Sequence, residues 1–338
     1  NYAWAQCAMG LKPSPYFACQ QNTRAKRVML GEPKVEENVF RWDRVIVNLP
    51  GNPQYNPSKP LVYKVKRDGT IAAEIVGYVD DNRVTSSTEE EAWKASSKVA
   101  KTTSMLGLQD AARKRRPPSQ RPGPWAGSVA YVSKPDVRKS VTQRRWDNTR
   151  AGVRWLDTEL RLVTDQAAAG KGDGKMMHKP MESIRGFLNY VARTYPAITP
   201  YLKGVRLTLD HWRPDRDSDG WRISNSSDKK LEFSTMAKPP VSVVPVSRLR
   251  SDIDALLHLT ESEIPPELKI RASALAMVWY MFGDASGYGL STTAWHKKLG
   301  DDIDVDVGTW SETTSKDTSS NWKEMNNFVI KLEDMVKK

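Results

Sequence analysis

The spacing of apolar residues predicts a β-hairpin followed by a series of helices along the first two thirds of the chain. Apolar residues cluster in 60–66 and 71–79 on either side of an Arg-Asp-Gly-Thr turn, a pattern typical of paired strands. Helical spacing appears in 88–106, which begins with the capping-box sequence Thr-Glu-Glu-Glu, and again in 141–166 and 182–191. We therefore expect strands and helices in separate blocks rather than in regular alternation.

The C-terminal third has a different pattern, which predicts three strands and a helix. The strands are expected at 276–282, 288–296 and 303–310, and the helix from about Asn321. The apolar residues that share one face of this helix are Met325, Phe328, Val329, Leu332 and Val336. We expect that face to be buried. The acids that alternate along the third strand are Asp302, Asp304 and Asp306. We expect them on the exposed face of an edge strand.

Other stretches predict connections between these blocks. Residues 21–60 are polar and rich in Asn and Pro, and are interpreted as an insertion or a long connection. The Ala/Gly-rich stretch 167–173 predicts a flexible joint, and 239–245 predicts a linker. The chain thus divides into three regions: 1–132, 133–245 and 246–338.

Charge and cysteine content narrow the function classes. Lys and Arg number 52 against 40 Asp and Glu, giving a formal charge of +12, which favours polyanionic partners. The two cysteines, Cys7 and Cys19, exclude a disulfide framework and favour a reducing, intracellular compartment, either cytoplasm or nucleus. The four scattered histidines form no metal-ligand motif. No apolar run is long enough to span a membrane, so no membrane association is expected.

An apolar strand that runs into Asp80 and Asp81 is the strongest chemical signal in the sequence. Two adjacent carboxylates repel each other unless a positive charge lies between them, and oxygen ligands of this kind bind Mg²⁺ or Mn²⁺. The alternative is that Asp-Asp-Asn is simply a favourable turn sequence between two strands.

Four motifs, in order, resemble the palm of reverse transcriptases. Tyr78-Val79-Asp80-Asp81 is similar to the Tyr-x-Asp-Asp motif, and Gly10, Ser14 and Pro15 match Gly-x-x-x-Ser-Pro. Lys114, after Gly107, is similar to the lysine that reaches the departing pyrophosphate, and Trp125-Ala126-Gly127 resembles the aromatic-x-Gly primer grip.

The resemblance implies a role for each matching residue. Asp80 would be the principal metal ligand and Asp81 a supporting one, with Lys114 as the general acid. Tyr78 precedes the aspartates. The template and the nucleotide would approach the backbone closely at Gly10, Ser14 and Pro15. Trp125 and Gly127 would hold the primer end. The alternative for Gly10, Ser14 and Pro15 is a helix-entry loop. The alternative for Lys114 is a solvated run of basic residues.

The segment 182–190 resembles the first thumb helix of retroelement enzymes. On the helix before it, Arg150 and Arg154 are candidate phosphate contacts that would position a duplex without reading its sequence. A solvated basic face is the alternative for each arginine.

The segment 282–289 resembles the start of the ribonuclease H domain in retrotransposons of the tyrosine-recombinase-encoding, DIRS-like branch. The resemblance implies that Asp284 and Glu324 are metal ligands and catalytic residues. In the alternative, Asp284 merely ends a strand, and Glu324 forms a capping box with Asn321.

Together these resemblances imply an α+β retroelement reverse transcriptase, truncated at both ends. It would comprise a partial palm at 1–132 with insertion 21–60, a helical thumb and connection at 133–245, and an incomplete α/β ribonuclease H-like domain at 246–338. Its cofactor would be Mg²⁺ or Mn²⁺, and its partners an RNA/DNA template–primer duplex and deoxynucleoside triphosphates.

Both metal sites of this family use further carboxylates. One lies on a strand before the position of Gly10, and two lie beyond that of Glu324, so we expect residues 1–338 alone to neither polymerise nor cleave. The alternative function is a catalytically dead, nucleic-acid-binding relic of such an enzyme. A palm-type RNA-directed RNA polymerase is disfavoured by the domain that carries Asp284.

Overall fold

The structure, a computed structural model, describes residues 13–79, 81–108, 113, 115–119, 123–133, 136–222, 238–274, 277–296, 303–317 and 319–337. Gly10, Asp80 and Lys114 lie outside the described residues. The helices are α1 Ser14–Leu30, α2 Glu89–Met105, α3 Gln143–Ala168, α4 His178–Ala192, α5 Lys203–Asp210, α6 Leu249–Leu259, α7 Glu312–Asp317 and α8 Ser320–Lys337, with a 3₁₀ helix Pro196–Leu202. The strands are β1 Arg44–Val47, β2 Val62–Val65, β3 Glu74–Tyr78, β4 Asp81–Thr85, β5 Ser128–Ser133, β6 Asp136–Val141, β7 Met176–Met177, β8 Ser242–Val243, β9 Leu268–Lys269, β10 Trp279–Ala285, β11 Gly289–His296 and β12 Asp304–Thr309.

The fold is α+β, as the sequence predicts, with helices and several small antiparallel sheets. The chain forms two compact units, residues 1–44 with 64–270 and residues 45–63 with 271–338. Within the described part of the chain, no helix is both long enough and apolar enough to cross a bilayer. The palm, thumb and ribonuclease H assignments remain predictions.

Helix α1 extends into the stretch interpreted as an insertion or a long connection, so residues 21–30 are helical and not an irregular connection. Pro15 lies in the first turn, where its missing N–H has no helical partner to lose. Asn22, Ala25 and Met29 then form a buried stripe at spacings of three and four residues. The many polar residues on the other faces of the helix hid this short stripe.

Strands β3 and β4 form a tight hairpin in which Tyr78 and Asp81 are the last opposed pair. Ile75 and Val84 on one face of the hairpin pack against a small apolar cluster. The cluster consists of Phe40, Ala73 and Ala95. The other predicted hairpin, across 67–70, is reduced to a single bridge between Val65 and Ile71, with backbone hydrogen bonds from the Lys66 N–H to the Thr70 carbonyl and from the Ala72 N–H to the Lys64 carbonyl.

The helical core of the first unit consists of α3, α4, the 3₁₀ helix, α5 and α6. The predicted stripe of α3 is confirmed, because its members are almost fully buried; they are Val153, Leu156, Leu160 and Val163. Buried Asp252 on α6 accepts a hydrogen bond from the Gly204 N–H of α5 at 2.7 Å and one from Arg248 Nε at 2.8 Å. Because α6 is part of this core, the predicted boundary at residue 246 falls inside the first unit.

In the second unit, α8 packs on the antiparallel sheet β10-β11-β12 with the face opposite to the predicted one. The buried residues of α8 are Lys323, Asn327 and Lys331, whereas Met325 is 65% and Val336 86% exposed. Polar partners explain this inversion. Asn327 Oδ1 accepts a hydrogen bond from buried Thr292, and Lys331 forms ion pairs with two aspartates of β12.

Candidate active site

The tip of the β3–β4 hairpin holds a residue in a strained conformation. Val79 has φ +55°, which is unfavourable for a β-branched residue and costs about 1–3 kcal/mol. Asn22 of α1 donates from Nδ2 to the Val79 carbonyl at 2.7 Å and accepts from Asn82 Nδ2 at 3.1 Å. A buried side chain from a distant helix therefore restrains the turn that leads into Asp81.

The two faces of the hairpin have different neighbours. Gly77 faces α1, where a Cβ atom would lie 1.9 Å from Lys26 Nζ, so a side chain there would displace the lysine. Because side chains alternate along a strand, the opposed pair Tyr78 and Asp81 projects from the other face. Asp81 is exposed, and its carboxylate has no hydrogen bond or ion pair to another described residue. An exposed carboxylate of this kind fits a hard divalent cation.

The Trp125–Ser128 segment is a second tight turn, closed by reciprocal backbone hydrogen bonds of 2.9 and 3.0 Å between its ends. Ala126 has φ +48° and Gly127 φ +81°, as a type I′ turn requires. Among the described residues, Val79 and Ala126 are the only non-glycine residues with positive φ. The strained residues thus mark the two predicted motifs.

The two turns meet through their aromatic residues. The rings of Tyr78 and Trp125 are in edge-to-face contact, with centroids 6.3 Å apart. Tyr190 of α4 lies beside them and donates its hydroxyl hydrogen to the Ala126 carbonyl. The Arg145 guanidinium of α3 stacks 4.2 Å from the Tyr190 ring centre. Burial raises the pKa of Tyr190, opposed by Arg145 and aided by Tyr78, so this hydroxyl keeps its proton and acts as a donor.

Motif matching predicted Tyr78, Trp125 and Gly127 but missed Asn22 and Tyr190. For Asn22 a signal exists, because it is the polar member of the buried stripe on α1. Tyr190 lies at the end of the predicted thumb helix, and no local pattern shows that its hydroxyl reaches a turn 64 residues away.

The remaining predicted palm and thumb residues are dispersed. Ser14 is the first residue of α1, and Pro15 is exposed in its first turn. Arg150 is only 13% exposed, because its guanidinium donates to the carbonyls of Thr260 and Glu261. Arg150 therefore anchors α3 to the segment after α6 and is poorly placed for a phosphate contact. Arg154 is exposed and has no ion pair within the described residues, so it remains a candidate.

The predicted ribonuclease H ligands lie on different sides of the β10–β12 sheet. A Cβ at Gly283 would point at Asn327 and Phe328 of α8, so the neighbouring Asp284 projects from the opposite face. Asp284 is exposed and accepts a hydrogen bond from the Ala285 N–H at 2.9 Å. Glu324 is an exposed residue of α8 itself. The structure does not bring these two carboxylates together.

Another acidic group does converge in the second unit. Carboxylate oxygens of Asp304, Asp306 and Asp334 lie within 4.8 Å of one another and could bind a metal ion. Lys331, 1% exposed, already places its ammonium against the first two, 2.8 Å from Asp304 Oδ2. The prediction that Asp304 and Asp306 form an exposed face is wrong, because both face α8; Asp302 lies outside the described residues.

No protein-family model matches the chain, and no curated protein matches it. A functional interpretation therefore depends on the motifs and on the geometry around the two turns.

Proposed function

We propose that this chain is part of a retroelement reverse transcriptase, an RNA-directed DNA polymerase. The carrying observation is the contact between Tyr78 and Trp125, which joins the Tyr-x-Asp-Asp hairpin to the aromatic-x-Gly turn. Tyr78 and Trp125 are 47 residues apart in the chain, and nothing in either motif requires them to meet. In the proposed enzyme, the primer end must lie close to the carboxylates, and the contact supports that arrangement.

The residues at the hairpin tip would act on the reacting groups by holding a metal. Asp81, together with Asp80, would hold Mg²⁺ or Mn²⁺, which when bound supplies activation of the primer 3′ oxygen and neutralisation of pyrophosphate charge. The restraint of Val79 by Asn22 would keep the tip in one conformation. The exposed Arg154 would contact a phosphate of the RNA/DNA duplex.

A ribonuclease H-like module is also part of the proposal. Three antiparallel strands followed by a helix agree with the order that the resemblance implies. The positions of Asp284 and Glu324 on different sides of the sheet give no support to a shared metal site.

Iron-directed cleavage tests the proposed metal site without requiring turnover. Fe²⁺ with ascorbate and peroxide replaces Mg²⁺ and cuts the backbone next to its ligands, so we expect cuts within 76–84 that Mg²⁺ suppresses. Asp81→Asn should remove them, whereas Asp68→Asn, a change in another exposed turn, should not. Cuts that are absent, or that persist in Asp81→Asn, contradict the proposed site.

Duplex binding combined with metal-dependent cleavage distinguishes the enzyme from the relic. Fluorescence anisotropy with a labelled RNA–DNA duplex should show affinity that falls steeply with salt in either case. Only the proposed enzyme combines that binding with Mg²⁺-sensitive cuts at the hairpin. Primer extension by residues 1–338 that Asp80→Asn removes would contradict the expected inactivity of these residues alone and would establish the polymerase directly.

A further inference from the structure

Tyr190 contacts one turn of the candidate site and is linked to the other through Trp125, while belonging to neither motif. Its hydroxyl donates to the carbonyl of strained Ala126, and Trp125 in the same turn packs edge-to-face on Tyr78 of the hairpin. The residue is half-buried at the end of α4, whose other side belongs to the helical core. A displacement of α4 would therefore act on both turns.

Arg145 fixes the position of Tyr190 and fills the space above Gly127. A Cβ at Gly127 would lie 2.1 Å from Arg145 Nη1 and 2.6 Å from the Tyr190 hydroxyl oxygen. Arg145 is half-buried and has no carboxylate partner among the described residues. Stacking on Tyr190 is its closest described interaction.

We infer that Tyr190 and Arg145 are positioning residues that couple helices α3 and α4 to the hairpin carrying Asp80 and Asp81. The helices carry the side of the site that would contact a duplex, and the hairpin carries the proposed metal ligands, so the inference rests on the proposed function. The Tyr190 hydroxyl holds the Trp125–Gly127 turn, and Trp125 in turn packs on Tyr78. Neither residue would touch the reacting atoms.

Backbone hydrogen exchange measures this coupling in the protein without ligands. Tyr190→Phe removes only the hydroxyl, and Arg145→Ala removes the stacked group. Loss of one such interaction should speed exchange about tenfold in 123–131 and, through the Trp125–Tyr78 contact, in 74–85. Arg145→Lys should restore part of the protection, since it keeps a cation near the ring.

Matched control substitutions show whether an effect depends on the positions of Tyr190 and Arg145 or only on the removal of a hydroxyl or guanidinium group. Tyr201→Phe removes the hydroxyl of another half-buried tyrosine, and Arg206→Ala removes an exposed arginine of α5. Neither should alter exchange in 74–85. A merely structural role for Tyr190 and Arg145 would change exchange in 123–131 and leave 74–85 unchanged, and that result would overturn the inference.

Iron-directed cleavage of the same variants separates this inference from the proposed function. Weaker cuts at 76–84 in Tyr190→Phe, measured where urea unfolding shows that the variant is fully folded, support both. If wild type shows no cuts but exchange remains coupled, the proposed function fails and the coupling stands. If wild type is cut and the variants match it in both measurements, the coupling fails and the metal site stands.

Discussion

The substitution Asn22→Ala tests whether the hairpin tip depends on helix α1. The change removes two hydrogen bonds, of 2.7 Å to the Val79 carbonyl and 3.1 Å from Asn82, at a side chain that is 9% exposed. Two such bonds contribute about 1–3 kcal/mol in total. Relaxation of Val79 from φ +55° returns part of its strain, about 1–3 kcal/mol, so the free energy of unfolding should fall by only about 1 kcal/mol.

The effect on the tip itself should be larger than the effect on stability. A tip conformer disfavoured by about 1–3 kcal/mol loses roughly 5- to 150-fold in relative population, at 1.36 kcal/mol per factor of ten. Iron-directed cuts within 76–84 should therefore fall at least about fivefold in Asn22→Ala. Urea unfolding followed by circular dichroism checks that the variant remains folded.

A second substitution tests the reasoning about strain. Glycine adopts positive φ without penalty, so Val79→Gly should keep the tip conformation accessible when Asn22 is absent. The double variant should recover much of the cleavage that Asn22→Ala loses. Thr23→Ala, an exposed change on the same helix, is the matched control. The argument is refuted if Asn22→Ala reduces cleavage equally in the Val79 protein and in Val79→Gly, or if it reduces cleavage in neither.

Three further predictions concern other parts of the chain. Gly127→Ala should lower the free energy of unfolding by about 1–3 kcal/mol more than Gly170→Ala, since both have positive φ but only the first would clash with Arg145. Burial raises the pKa of Asp157, but hydrogen bonds from two arginines lower it further, to below the ordinary 3.8. Its stabilisation is therefore present above pH 3.8 and lost as pH falls through the lower folded pKa. Asp157→Asn should cost about 1–2 kcal/mol at pH 7, and below pH 3.8 the urea stability of the variant should depend less on pH than that of wild type. Lys331→Gln should lower the melting temperature by leaving two aspartates of β12 without their counter-charge, and Ca²⁺ should raise that temperature more in the variant than in wild type.

Apolar residues at helical spacing correctly predicted those helices whose apolar face is buried. The stripe of α3 and the Thr88 cap of α2, whose hydroxyl accepts from the Glu91 N–H, are present as the sequence predicts. The pattern failed for α8, where ion pairs and hydrogen bonds to the facing sheet bury Lys323, Asn327 and Lys331 in place of the apolar stripe. Periodicity identifies an amphipathic helix, but the partner surface decides which face it buries.

The candidate site was predictable only where its residues form contiguous motifs. Tyr78, Trp125 and Gly127 could be named from local sequence, whereas the hydrogen bonds of Asn22 and Tyr190 span 57 and 64 residues. Such contacts follow from the packing of α1 and α4. No local propensity encodes them.

The two strained turns show why the motifs alone cannot form the site. Val79 and Ala126 each adopt a conformation that their own sequence disfavours, and in each case a helix side chain binds the carbonyl of the strained residue. Strain of this size persists only where surrounding structure enforces it. An isolated hairpin peptide would therefore relax at the tip and lose the orientation of Asp81. The conformation of the Tyr-x-Asp-Asp hairpin consequently depends on Asn22 of α1 directly and on Tyr190 of α4 through the Trp125–Gly127 turn.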